Sequence, residues 1–134
     1  MTFNLRVFGN LQLIILILII VILVLTVSFA YLSAKTSAND QKSLANVEQI
    51  QKALKLYYDE NGFYPASNNG VPKDIETYLS FWPTPSPSGR CSKNYNEYSY
   101  TLRPGADYWV MFCLGGDNGD LKSGIHRASS KGLE

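Results

Sequence analysis

The first third of this chain has almost no charge and no residue that interrupts a helix. Only Arg6 and Lys35 carry a charge before Asp40, and neither Gly nor Pro occurs in residues 10–61. Without charged groups this stretch has little to keep it in water. Without Gly or Pro, nothing in it stops a helix once one has started.

Side chains for chemistry are also scarce, with 1 His and 2 Cys in the chain. Cys91 or Cys113 together with His126 would supply a nucleophile and a base, but a catalytic set also needs an orienting third group, for which the sequence offers no candidate. No run of basic residues accompanies the aromatic side chains, so a nucleic-acid interface lacks its positive charge. We therefore predict neither an enzyme nor a nucleic-acid-binding protein.

What the sequence does contain is one long hydrophobic run at residues 11–32, aliphatic throughout residues 13–25. As a helix these ~22 residues reach roughly 33 Å, which matches a hydrocarbon core of about 30 Å. A helix also satisfies its own backbone groups in lipid. The run predicts a single transmembrane helix. A secretory signal peptide cut near Ser28 and Ala30 is the alternative, although its apolar core is usually only about 7–15 residues.

The flanking charges predict the orientation of the span. Arg6 and the amino terminus precede it, and no acid occurs until Asp40, so the amino terminus is expected in the cytoplasm and the C-terminal domain outside. An even pair of cysteines in an exported domain then predicts a Cys91–Cys113 disulfide, with free thiols as the alternative.

Beyond the span, apolar residues recur every three or four positions as far as Asn61-Gly62, where Gly provides a helix stop and Pro65 prevents the helix from resuming. The spacing predicts that the helix continues through residues 33–62 with one packed face. The apolar stripe on this face consists of Leu44, Val47, Ile50, Leu54 and Tyr57.

Residues 63–134 are predicted to form a connector and a small β-sheet domain. Pro72 is expected to begin a short helical turn, and the prolines of WPTPSPSG favour an extended loop. NEYSYTL, the turn RPGAD and YWVMFCL read as a hairpin, followed by a loop-rich tail with one short strand around Ile125. The predicted class is α+β, a long N-terminal helix packed on a small antiparallel sheet.

A metal site was weighed for the tail. Asp117, Asn118 and Asp120 present clustered hard oxygens of the kind that calcium prefers, but their spacing does not fit an EF-hand loop. Asp-Asn-Gly is also an ordinary turn sequence. We expect a turn and no cofactor, with calcium as the weaker alternative.

The chain resembles the type IV pilins and the type II secretion pseudopilins over nearly its whole length. The residues that carry the resemblance are the short leader MTFNLRVFG, the hydrophobic helix that continues into an amphipathic one, the helix exit LKLYYDENGFYP and the tail FCLGGDNGDLKSGIHRAS. The resemblance implies a leader at residues 1–9, a transmembrane half-helix at 10–32, an extracytoplasmic half-helix at 33–62 and a pilin-like sheet domain at 63–134. It also implies cleavage after Gly9 by a prepilin peptidase and methylation of Asn10.

Two positions depart from the family pattern. The family usually has Phe or Met after the cut and Glu as the fifth mature residue, whereas this chain has Asn10 and Ile14. The resemblance therefore implies a minor or divergent filament subunit, held in the lipid bilayer of the inner membrane before it joins other pilin subunits in a periplasmic or cell-surface filament. The alternative is a monomeric, membrane-anchored binding domain.

Overall fold

The structure is a computed structural model that describes residues 5–91 and 95–134. It divides into two units, Met1–Ala34 and Lys35–Glu134. The α+β class is confirmed. Its elements are helix α1 (Leu5–Asn61), strands β1 (Ser67–Asn68) and β2 (Val71–Pro72), a 3-10 turn (Gly89–Cys91), and strands β3 (Ser99–Arg103), β4 (Asp107–Leu114), β5 (Gly124–Ser129) and β6 (Gly132–Leu133).

Helix α1 begins at Leu5, six residues before the hydrophobic run. Residues 5–10 contain no Pro, and their single glycine, Gly9, is tolerated within a helix. The helix ends at Asn61, as predicted. Gly62 adopts a φ of 78°, which favours glycine, and its N–H donates to the Tyr58 carbonyl at 2.8 Å. The Asn61 side-chain amide donates to the Tyr57 carbonyl at 2.9 Å, so the last turn is capped.

The second unit is built on a four-stranded antiparallel sheet in the order β3-β4-β5-β6. Strand β4 alternates half-buried and fully buried residues along its length, so one face of the sheet points into the core. The helix supplies the opposite wall of this core through Val47, Ile50 and Leu54, which are completely buried. The sheet contributes Tyr100, Tyr108, Val110, Phe112, Leu114 and Ala128, and Tyr98, directly before β3, is buried with them.

The prediction of a loop-rich tail with one short strand was wrong in extent. Strand β5 has six residues and pairs with β4, and β6 extends the sheet further. Gly124 and Gly132, with φ values of 137° and 128°, provide the bends that this path needs. The glycines and polar residues of the tail favour a loop by their local propensity. They form strand β5 because β4 offers unpaired backbone groups along its free edge.

The prediction that Pro72 begins a helical turn was also wrong. Pro72 lies in the two-residue strand β2, and the turn forms farther along, where the N–H groups of Tyr78 and Leu79 both donate to the Ile75 carbonyl at 2.9 Å. Ile75 is buried in the core. Its side chain anchors the connector to the domain.

The connector covers the outer edge of β3. The N–H of Tyr100 donates to the Gly70 carbonyl at 2.7 Å, and the Ser67 hydroxyl donates to the Tyr100 carbonyl at 3.0 Å. The Tyr100 hydroxyl donates to the Pro65 carbonyl at 2.7 Å, and burial raises the pKa of this phenol. The first two bonds satisfy the N–H and the carbonyl of Tyr100 on the outer edge of β3, which would otherwise be open to pairing there.

A buried carboxylate joins the helix to the end of β4. Asp40 is only 3% exposed, and its two oxygens accept the N–H groups of Gly115 and Gly116 at 2.7 and 2.8 Å. Hydrogen bonds to an ionised acceptor are stronger than those between neutral groups. The sequence analysis identified Asp40 only as the first acid after the span and did not predict this role.

The Cys91–Cys113 disulfide is confirmed, with an S–S distance of 2.04 Å. Beside it two backbone segments touch directly. A Cβ on Gly89 would lie 2.4 Å from the Gly115 carbonyl oxygen, and a Cβ on Gly115 would lie 2.3 Å from the Ser88 carbonyl oxygen. Both positions therefore require glycine, and together with the disulfide they bind the proline-rich segment to the end of β4.

We predict that Leu54→Ala lowers the free energy of unfolding by about 2–5 kcal/mol, because it opens a cavity in a fully buried site. The matched control is Leu56→Ala, since Leu56 lies on the same helix and is 43% exposed; its effect should stay within roughly 0.5 kcal/mol. Urea unfolding of the full chain in detergent micelles measures both. Equal losses of unfolding free energy in Leu54→Ala and Leu56→Ala would contradict the burial of Leu54 in the core.

We predict that Asp40→Ala lowers the free energy of unfolding by about 2–5 kcal/mol, because it removes the carboxylate that accepts hydrogen bonds from two part-buried N–H groups. The control is Asp59→Ala. The carboxylate of Asp59 meets only Lys55 at the surface, at 2.8 Å, and its loss should cost less than about 1 kcal/mol. The same urea titration measures both variants. If Asp40→Ala were as stable as Asp59→Ala, the hydrogen bonds from Gly115 and Gly116 to Asp40 would contribute nothing to the free energy of unfolding.

Candidate functional site: the apolar N-terminal helix

The N-terminal part of α1 presents apolar side chains without cover. Within the described residues one helix is long and apolar enough to cross a membrane, and its most hydrophobic 18-residue window has a mean hydropathy of 3.4. The large apolar side chains of residues 11–32 keep between 48% and 77% of their surface exposed. An apolar surface of this extent is typical of a lipid-facing or helix-packing segment rather than of one in water.

The hydroxyl groups inside this run are satisfied by the helix itself. Thr26 Oγ1 donates to the Leu23 carbonyl at 2.9 Å, and Ser28 Oγ donates to the Val24 carbonyl at 2.7 Å. Neither group needs water, so both are compatible with the interior of a bilayer.

The residues of the predicted processing site lie at the start of this surface. Gly9 is within the helix, and a Cβ placed there would meet nothing within 4 Å. Cleavage after Gly9 and methylation of Asn10 stay predictions.

The position that departs from the family pattern is also on this exposed surface. Ile14 keeps 54% of its surface exposed and offers no hydrogen-bonding group. The sequence has no carboxylate before Asp40. The span therefore has no acidic group that could form a charge pair.

The structure buries most of the apolar stripe predicted on the outer half of the helix. Val47, Ile50 and Leu54 are inaccessible, Tyr57 is 9% exposed, and Leu44 packs against the core while partly buried. The sequence analysis missed three further buried positions, because small and polar residues give no hydrophobic signal. These are Asp40, Ser43 and Ala53.

The three oxygen-bearing residues weighed for calcium lie in a turn. The Asp117 carboxylate accepts the Ser123 N–H at 2.8 Å and pairs with the Lys122 ammonium at 3.0 Å, and these contacts hold the Asp117 pKa below its usual value. Asn118 and Leu121 exchange backbone hydrogen bonds of 2.9 and 3.1 Å. A calcium ion at Asp117 would compete with the Lys122 ammonium for the carboxylate, and calcium binding stays the weaker of the two predictions for this turn.

The cysteine and histidine residues weighed for catalysis do not form a reactive set. Both thiols are consumed in the disulfide. His126 lies on β5 rather than in a loop, its Nε2 is 2.6 Å from the Lys122 carbonyl oxygen, and its ring lies against Phe112 at 5.6 Å.

Comparison with known proteins adds an independent observation. No family model matches the chain, and no solved structure matches it. The chain is 32% identical over 75 residues to the type II secretion system core protein G of Escherichia coli (strain K12), a pseudopilin. The resemblance to pilin-like proteins is confirmed. The match covers 56% of this chain and 46% of that protein, so this pilin-like chain spans about half the length of the relative that it matches.

Proposed function

We propose that this pilin-like chain is a structural subunit, minor or divergent, of a type IV pilus or a type II secretion pseudopilus. The observation that carries the proposal is the exposed apolar surface of residues 11–32 in a chain similar to a pseudopilin. The function arises by polymerisation through that surface, and the chain has no chemistry of its own.

The apolar helix restricts where the subunit can go. Each aliphatic side chain moved from an apolar environment into water costs about 1.5–3 kcal/mol. A run of thirteen aliphatic residues, 13–25, therefore cannot leave the bilayer for water alone. It can leave the bilayer when other apolar side chains replace the lipid around it. The same apolar run on neighbouring subunits supplies such side chains. The sheet domains then form the outer surface of the filament.

The membrane stage precedes assembly in this proposal. The amino terminus faces the cytoplasm, a single span crosses the inner membrane, and the domain that begins after Ala34 lies outside. A prepilin peptidase removes residues 1–9, and Asn10 becomes the methylated amino terminus. The Cys91–Cys113 disulfide supports the exported location, because disulfides persist in oxidising compartments.

The minor or divergent status rests on Ile14. Without a carboxylate there, no charge pair fixes the axial register between neighbouring helices, and packing by shape must do so. A subunit of this kind suits a specialised position in the filament better than a long uniform array. The same absence is what supports the alternative, a monomeric membrane-anchored binding domain.

We predict that the mature chain begins at Asn10 when the protein is made in its own membrane with the prepilin peptidase present. N-terminal sequencing of the purified protein with the peptidase present and absent measures the cut, and mechanical shearing tests whether the protein leaves with filaments. The matched control is Gly9→Leu, which adds a bulky side chain at the cleaved bond and should leave the leader in place.

Two outcomes would contradict the proposal. One is an uncut chain in both strains combined with no protein in the sheared fraction, which would support the anchored binding domain. The other is a cut after Ala30, which would identify the apolar run as a removed signal peptide.

A further inference from the structure

The face of the sheet that points away from the helix carries a basic and aromatic cluster which the proposed function does not use. Trp109 lies on β4, directly across from Thr101 of β3. Arg103 lies two residues farther along β3, and Arg127 lies on β5 opposite Met111. Since side chains alternate along a strand and the neighbouring residues Tyr108 and Val110 are buried in the core, these side chains share the outward face.

The two arginines are both held against the tryptophan. The guanidinium carbon of Arg103 is 3.5 Å from the centroid of the Trp109 ring, and that of Arg127 is 4.5 Å from it. Both distances are within the range of cation–π attraction. The indole thus holds two positive charges at the surface, although the charges repel one another.

The guanidinium groups have no acidic partner in the part of the chain that the structure describes. Its salt bridges are Lys55–Asp59 and Lys122–Asp117. Asp107 lies directly across from Arg103 in the strand register, but its Oδ1 accepts the N–H and hydroxyl of Ser130 at 3.2 and 2.9 Å. Glu134 lies across from Arg127, with which it exchanges backbone hydrogen bonds of 2.9 and 2.8 Å, but its carboxylate forms no salt bridge with either guanidinium group among the described residues.

We propose that the outward cluster of Arg103, Trp109 and Arg127 is a docking surface for an acidic segment of another protein. Guanidinium forks match carboxylates in a bidentate geometry, so two forks held on one indole fit a segment that carries more than one Asp or Glu side chain. This surface belongs wholly to the second unit, and the proposal does not depend on the filament role.

The surroundings of the cluster favour a protein partner over a nucleic acid. Met111 is half-buried beside Arg127, and Ile125 is 48% exposed on the same face. Tryptophan, arginine and methionine are enriched where proteins bind one another. A nucleic-acid site needs a longer basic stripe and free aromatic faces for stacking, whereas the outward neighbours Ser99 and Thr101 are neutral and the indole is already stacked on guanidinium.

The test measures binding of fluorescein-labelled poly-L-glutamate to the full chain in dodecyl maltoside micelles, by fluorescence anisotropy at several salt concentrations. We expect the double variant R103Q/R127Q to weaken binding at least roughly tenfold. Trp109→Leu retains both charges but removes the indole ring against which the two guanidinium groups pack, and it should weaken the binding of poly-L-glutamate several-fold. The matched control is K52Q/K73Q, which removes the same charge from two exposed positions elsewhere and should change binding by less than about twofold.

The conservative double variant R103K/R127K separates the fork geometry from charge. It preserves the net charge and disturbs the surface least, and we expect it to bind clearly more weakly than the wild type, because lysine cannot form the bidentate pair. Near-ultraviolet circular dichroism shows whether each variant is folded.

Several results would overturn the proposal. These are no binding of poly-L-glutamate by the wild-type chain, equal losses in R103Q/R127Q and K52Q/K73Q, or wild-type affinity in R103K/R127K. Tighter binding of a DNA duplex, or of vesicles that contain anionic lipid, than of poly-L-glutamate would overturn the choice of a carboxylate-bearing protein as the partner.

Discussion

The physical constraint on which this protein depends is that residues 11–32 cannot remain in water. Their large apolar side chains are at least 48% exposed, and the hydroxyl groups of Thr26 and Ser28 already bond to the helix backbone. Such a surface has two stable environments, lipid and other apolar helices. A subunit that moves between the two could be stored in a membrane and then polymerised, and this is the basis of our proposal that the function lies in the span.

The outer half of the same helix has a different task, because it must hold a small sheet domain that buries a modest core. Val47, Ile50 and Leu54 supply the apolar wall, and Asp40 binds the backbone where β4 ends. The Cys91–Cys113 disulfide and the glycine contact between residues 89 and 115 close the same region from the other side of the sheet. With its inner face filled in this way, the sheet leaves an outward face that can meet another protein.

Hydrophobic pattern predicted the parts of the fold that depend on local sequence. The span, the helix end at Asn61 and the β3–β4 hairpin follow from runs, periodicity and turn residues that are visible in the chain. Strand β5 was predicted only as a short strand around Ile125, and β6 was missed, because glycines and polar residues flank them. Strand β5 pairs with the free edge of β4, and β6 then pairs with β5. The hydrogen bonds of Asp40 to the backbone after β4 and the stacking of two arginines on Trp109 were also missed. Each of these contacts joins residues that are distant in sequence and meet only in the folded chain.

The central claim is that subunits assemble through the span, and cysteine cross-linking between copies tests it most directly. Leu16, Ile17, Leu18 and Ile19 are replaced singly by cysteine, which covers one helical turn, and Lys73→Cys on the outer domain is the control. Both native cysteines are already paired. After mild oxidation of sheared filaments, we expect a disulfide-linked dimer from at least one position in the span, because each variant carries one free thiol per subunit. Monomer from all four positions, with a dimer from Lys73→Cys, would contradict assembly through the helix.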